Sequence, residues 1–189
     1  MKPASQGVKL TYDDFLLFPE DGKRHELIDG EHFVTASPNL KHQLVVGQLH
    51  LAIASWLEVH PIGRIILAPF DVIFSNIDVV EPDLLFIRAG READILTSQG
   101  VRGAPDLVIE VASKSTRARD ETLKRRLYER AGVVEYWVVD PAIDVVRVYR
   151  RAAAGFLKPE ELSREDGDTL RTPLIPGLDM SLARLFKDA

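Results

Sequence analysis

The segment Asp106-Leu107-Val108-Ile109-Glu110-Val111 places the tightest limit on the fold. A short apolar run of this kind reads as a strand covered on both faces, in the middle of a sheet packed with helices. Such a strand has no place for a lone carboxylate, because a buried charge is costly unless it is paired or binds a metal. The stretch Asp83-Leu84-Leu85-Phe86-Ile87, behind Pro82, repeats the arrangement with Asp83 at the beginning of an apolar strand. If the two strands are neighbours, Asp83 and Glu110 meet at one edge of the sheet. Oxygen ligands of this type suit Mg²⁺ or Mn²⁺. The plainer alternative is a turn at Asp83 and a core arginine beside Glu110. Asp106 shares a strand face with positions 108 and 110. It either joins the same cleft or only begins the strand after Pro105.

The rest of the chain supplies what such a sheet needs. Thr11 reads as a helix N-cap with Asp13 and Asp14 in the first turn, and Pro19 ends this short helix. His25 to Ile28 and Glu31 to Val34 flank Asp29-Gly30, a two-residue hairpin signal. Apolar residues at helical spacing, including Val45, Leu49, Ile53 and Trp56, predict a long helix over 41–59 that Pro61 and Gly63 terminate. Strands are expected at 64–67, 71–74 and 83–87, then at 106–111. A second helix is expected at 116–131, followed by strands at 135–139 and 145–149, a strand near Leu157 and a short helix at 182–186. This order predicts an α/β fold with a mixed sheet flanked by helices, an N-terminal hairpin and a C-terminal β extension, in one domain over 1–189.

Composition narrows the chemistry. The chain has no cysteine, which removes disulfides, thiolate zinc sites and cysteine nucleophiles. No run approaches the roughly 18 apolar residues of a membrane span, and the polar stretch Met1 to Leu10 lacks a signal-peptide core. A cytoplasmic location without membrane contact is the expectation. The net charge of −5 argues against a protein that coats nucleic acid by charge alone, but leaves room for an enzyme with a local basic face. There is no P-loop and no nucleophile elbow.

In the second helix, Leu123, Leu127, Tyr128 and Ala131 form the apolar stripe at roughly 100° per residue. Lys124 falls inside that stripe. Its amine either reaches a carboxylate beside the sheet or snorkels to the surface. Six basic residues and three acids lie between Arg117 and Arg130. They suit a solvated face with pairs such as Asp120 and Lys124, or a surface that binds phosphate. Solvation is the expectation for the outer arginines, Arg119 among them.

Taken together, the stretches Glu26-Leu27-Ile28-Asp29-Gly30-Glu31, Pro82-Asp83-Leu84, Arg102 to Val111, Ser113 to Thr116, Lys124 with Tyr128, Ala131-Gly132-Val133, Glu135-Tyr136-Trp137 and Pro176-Gly177-Leu178 resemble the PD-(D/E)XK nuclease superfamily. More closely, they resemble its Uma-type, restriction-endonuclease-like family. The resemblance implies that Asp83 is the Asp of the PD element and Glu110 the acid of the (D/E)XK element. The lysine expected two positions later is missing, because residue 112 is Ala. The resemblance assigns its role to Lys124 and adds Glu26 as a further site acid. His42 is a weaker candidate, with capping or surface exposure the simpler expectation, and Ser113 is expected to cap the helix or contact phosphate. The implied activity is Mg²⁺- or Mn²⁺-dependent hydrolysis of DNA by an endonuclease. Superfamily members often act as dimers, so a homodimer is an open expectation. The competing reading is a nuclease-fold binding or regulatory module without catalysis, which Ala112 and the acidic net charge favour.

Overall fold

The turn and capping signals of the sequence act where they stand, in a computed structural model that describes residues 8–187; residues 1–7 of the polar N-terminal stretch and residues 188–189 lie outside it. The Thr11 hydroxyl accepts from the Asp14 amide while the Asp14 carboxylate accepts from the Thr11 amide, a capping box that starts helix α1 (Tyr12–Phe15). Strands β1 (Arg24–Ile28) and β2 (Glu31–Thr35) pair through Asp29-Gly30, both at positive φ as the tight turn requires. The Asn39 side chain caps α2 (Leu40–Val59), the long helix. Then come β3 (Gly63–Leu67), β4 (Val72–Ser75), β5 (Asp78–Val80), β6 (Leu84–Arg88), the single turn α3 (Glu92–Ile95), β7 (Val101–Arg102) and β8 (Leu107–Val111). The second helix region consists of α4 (Arg117–Arg119), a π-helical turn (Asp120–Lys124) and α5 (Arg125–Ala131), ended by Gly132 in the left-handed conformation. The chain closes with β9 (Glu135–Asp140), β10 (Val145–Ala152), β11 (Gly155–Phe156), β12 (Glu160–Ser163), β13 (Thr169–Leu170), β14 (Met180–Ser181) and α6 (Leu182–Leu185).

The main sheet runs β11-β10-β9-β8-β6-β3, with β12 also paired to β10, and β8 and β9 parallel. A second sheet runs β2-β1-β5-β4-β7. This is the mixed sheet, hairpin and β extension that the sequence predicts. Because successive side chains of a strand point to opposite faces, β8 divides two cores. Leu107, Ile109 and Val111 pack with Val45, Leu49 and Ile53 of α2 and with α6. Val108 packs with Leu127 and Tyr128 of α5 and with Val72 and Val80 of the second sheet. Each fully buried aliphatic side chain contributes roughly 1.5–3 kcal/mol, so the sheet is held from both sides. Glu110, in phase with Val108, therefore points into the second layer. Among the described residues, no helix is long and apolar enough to cross a membrane.

The structure adds to the expected elements and corrects one helical phase. Strand β5 stands outside the expected strands, because its three residues gain their pairing only from β1 and β4. The strand expected near Leu157 is present as β11, and Leu157 itself is exposed. Leu123 is also exposed instead of buried, because the π-helical turn inserts an extra residue and rotates the preceding segment away from the simple 3.6-residue phase.

Candidate active site

β6 and β8 are neighbours, with Leu84 opposite Ile109. This pairing brings Asp83, one residue before β6, beside the end of β8, where the Val111 amide donates to Asp83 Oδ2 at 2.8 Å. His42 Nε2 stands 3.2 Å from the same oxygen, and Arg24 Nη1 donates to Oδ1 at 2.9 Å. Burial alone would raise the Asp83 carboxyl, but the His42 hydrogen bond, the Arg24 and His42 charges and the Val111 amide outweigh it and hold it at about 2.

Glu110 has no such excess of donors. Lys124 Nζ lies 2.9 Å from its Oε1, and the Tyr128 hydroxyl donates to the same oxygen at 2.6 Å. Burial raises the Glu110 carboxyl; Lys124 lowers it, while Asp120, Asp83 and Glu26 push it further, to about 8. Burial and the neighbouring acids thus disfavour the charged form of Glu110 more than that of Asp83.

The third acid comes from the other sheet. Glu26 on β1 is fully buried, and its Oε1 accepts from Lys124 Nζ at 2.7 Å and from the Glu81 amide at 3.1 Å. Lys124 thus bridges Glu26 and Glu110. Burial works against its charge, but Glu110, Glu26 and Asp120 more than restore it, so the ammonium is held above the ordinary lysine range. The snorkelling alternative is overturned, since Lys124 is among the largest fully buried side chains.

Asp83, Glu110 and Lys124 all line one cavity of about 790 Å³, together with His42, Arg24 and Asp120. Lys23, Lys114 and Arg119 add positive charge to its wall. The four sequence-predicted residues Asp83, Glu110, Lys124 and Glu26 are brought together. Asp106 is not. It is buried at the opposite end of β8, where it accepts from the Arg88 amide and side chain and pairs with Arg91 at 3.0 Å. These contacts tie the start of β8 to the end of β6. Ser113 accepts from the Thr116 amide at 3.2 Å, a local turn that precedes α4.

His42, a weaker candidate in the sequence with capping or exposure as the simpler expectation, is buried against Asp83. Other residues of the cavity carried no site signal in the sequence. Arg119 is mostly buried, 3.6 Å from Glu26 Oε2, instead of solvated. Asp120 is buried in the π-helical turn, and its Oδ1 has no hydrogen-bond partner. It does not form the surface pair with Lys124 expected of an α-helix, because Lys124 is engaged by Glu26 and Glu110. Arg24 carried no signal at all. A π-helical turn at a functional site is a recurring feature, but it is invisible in the pattern of residues.

Comparison with known proteins agrees with this fold. The family described as "Uma2: Putative restriction endonuclease" matches residues 12–183. A solved structure described as a putative nuclease belonging to DUF820, from Anabaena variabilis ATCC 29413, superposes with a TM-score of 0.79 at 23% identity, covering 94% of this chain and 98% of that one. No curated protein matches.

Proposed function

Because the chain belongs to the Uma2 family of restriction-endonuclease-like proteins, we propose that it is a metal-dependent endonuclease that hydrolyses DNA phosphodiester bonds. In this reading Asp83 and Glu110 hold Mg²⁺ or Mn²⁺, and Lys124 and Glu26 complete the catalytic set. The observation that carries it is the Lys124 ammonium fixed between Glu26 and Glu110 in the cavity that Asp83 also lines.

The donors suit a hard divalent cation. Four buried carboxylates, of Glu26, Asp83, Glu110 and Asp120, face the buried Lys124 and the part-buried Arg24 and Arg119. These carboxylates outnumber the cations they face, which suits a site that would take a further positive charge. Glu26 Oε2 and Asp120 Oδ1 are buried without a hydrogen-bond partner. Among the described residues no three such side chains already form a ligand cage; Mg²⁺ commonly uses one or two carboxylates and keeps several waters. When bound, the cation supplies Lewis acidity for water activation and charge for the phosphate.

The chain's own residues do the positioning. Tyr128 and Lys124 both donate to Glu110 Oε1, which fixes the carboxylate that would help to hold the cation. Lys124, held by two carboxylates, orients the attacking water and offsets charge that develops on the phosphate. Lys23, Lys114 and Arg119 on the wall add positive charge that would attract a phosphate.

The binding-module reading rests on Ala112 and on the occupation of both Asp83 oxygens. Calorimetric titration with Mn²⁺, followed by cleavage assays on plasmid, single-stranded and branched DNA, separates the two. Heat of binding and Mn²⁺-dependent cleavage that Glu110→Ala abolishes support the nuclease. A folded protein that takes up no Mn²⁺ and leaves every substrate intact is a binding module.

A further inference from the structure

We infer that Arg24 is the resident cation of Asp83, and that it gives up one oxygen of that carboxylate when a divalent cation binds. The inference rests on the metal-site reading above and adds the residue that governs loading.

The three partners of Asp83 are not equivalent. Oδ2 is held by the Val111 amide, which is main chain of the central strand β8, and by His42 from the buried side of the long helix α2. The Val111 amide does not move without disturbing the core. Oδ1 is held by Arg24 Nη1 at 2.9 Å. Arg24 is the first residue of β1, in the other sheet, and its long side chain reaches into the cavity with a fifth of its surface exposed. Its Nε lies 2.8 Å from Glu81 Oε1, so the guanidinium spans Glu81 and Asp83 as a fork.

The oxygen open to an incoming cation is thus the one that Arg24 covers. Oδ1 carries one donor and so keeps a lone pair, but a divalent cation there would stand beside the guanidinium, and repulsion between the two positive charges favours release by Arg24. Glu81 keeps a second hold on Arg24 through Nε, which lets Nη1 leave Asp83 without the side chain losing all of its charge partners. The other basic residues of the cavity do not stand in this relation. Among the described residues, the ion pairs of Asp83 are with Arg24 and His42. Arg24 therefore stabilises the metal-free site and competes with the metal for the same atom.

The test is calorimetric titration of Mn²⁺ at fixed pH and ionic strength into the wild type, Arg24→Gln and Lys114→Gln. Lys114→Gln removes the same charge from the cavity wall without touching Asp83. Loss of a charge-assisted competitor should tighten Mn²⁺ binding about tenfold in Arg24→Gln, against a change below about threefold in Lys114→Gln. The rise in melting temperature on adding Mn²⁺ should be larger in Arg24→Gln than in the wild type. If circular dichroism shows Arg24→Gln unfolded, Arg24→Lys replaces it; a single amine lacks the fork, so an intermediate gain is expected. Wild type that binds Mn²⁺ no more weakly than Arg24→Gln overturns the role of Arg24 and leaves the metal site standing. An equal gain in Lys114→Gln also overturns it, because only the general field would be acting. Failure of the wild type and all variants to bind Mn²⁺ removes the metal site itself, and this inference with it.

Discussion

Tyr128 donates its hydroxyl hydrogen to the same Glu110 oxygen that receives the Lys124 ammonium, at 2.6 Å, so one carboxylate oxygen takes both donors from the second helix region. Burial raises the phenol well above its ordinary range, with the Glu110 charge adding to it, so the hydroxyl stays a donor. Tyr128→Phe keeps the ring packing and removes this bond. A loss of about 1–2 kcal/mol in stability is expected, in the range for deleting a buried hydrogen bond. Under the proposed nuclease function the cleavage rate should fall about tenfold, since misplacement of Glu110 would lower turnover. Urea denaturation and single-turnover cleavage of the same preparation check both numbers; unchanged turnover would show that Lys124 alone orients Glu110.

Removal of the Lys124 amine leaves Glu26 and Glu110 without their shared cation. Lys124→Met should destabilise the protein by about 3–5 kcal/mol, the range for breaking a buried ion pair from one side. Adding Glu26→Gln to Lys124→Met should recover part of that loss, because one of the stranded charges is then gone. Equilibrium unfolding of the two variants measures the recovery. A double variant less stable than Lys124→Met would mean that Glu26 is held mainly by other partners.

The Glu110 carboxyl also sets a pH dependence for the metal-free protein. Its proton is released near 4.5 in the unfolded chain and near 8 in the folded one. Between these values the folded state binds more protons, so stability from this group is full below about 4.5 and declines as pH rises toward 8. In EDTA, the urea midpoint should fall over this window. Glu110→Gln should flatten the decline, and a slope that persists in that variant would place the proton elsewhere.

Asp106 provides a contrast at the far end of β8. Arg88 and Arg91, its partners, are partly exposed and remain solvated without it. Asp106→Asn should therefore cost only about 1–2 kcal/mol, with the cleavage rate of the folded protein unchanged. Thermal melts and a rate normalised to folded protein decide this. A large loss of rate at full folding would place Asp106 in the reaction.

Local signals in the chain were enough for much of the framework. Asp29-Gly30 forms its turn because both residues take positive φ, which those residue types tolerate. Leu107 to Val111 becomes a central strand because a continuous apolar run is stable only when covered on both sides. The inward direction of Lys124 follows from helical spacing, and Glu110 is only 14 residues away. Helical phase failed at Leu123 and Asp120 because a π-helical turn changes the residue count per turn without any mark in composition.

Residue pattern alone was sufficient for the long helix, the central strands and the acids that those elements could not bury unpaired. Which cations meet those acids was settled by tertiary packing. Arg24 reaches Asp83 across 59 residues and from a different sheet, and His42 reaches it from a helix on the opposite face of β8. The physical reason is that periodicity fixes the direction of a side chain relative to its own element, whereas a contact depends on how separate elements dock, which is settled by the packing of both apolar layers together.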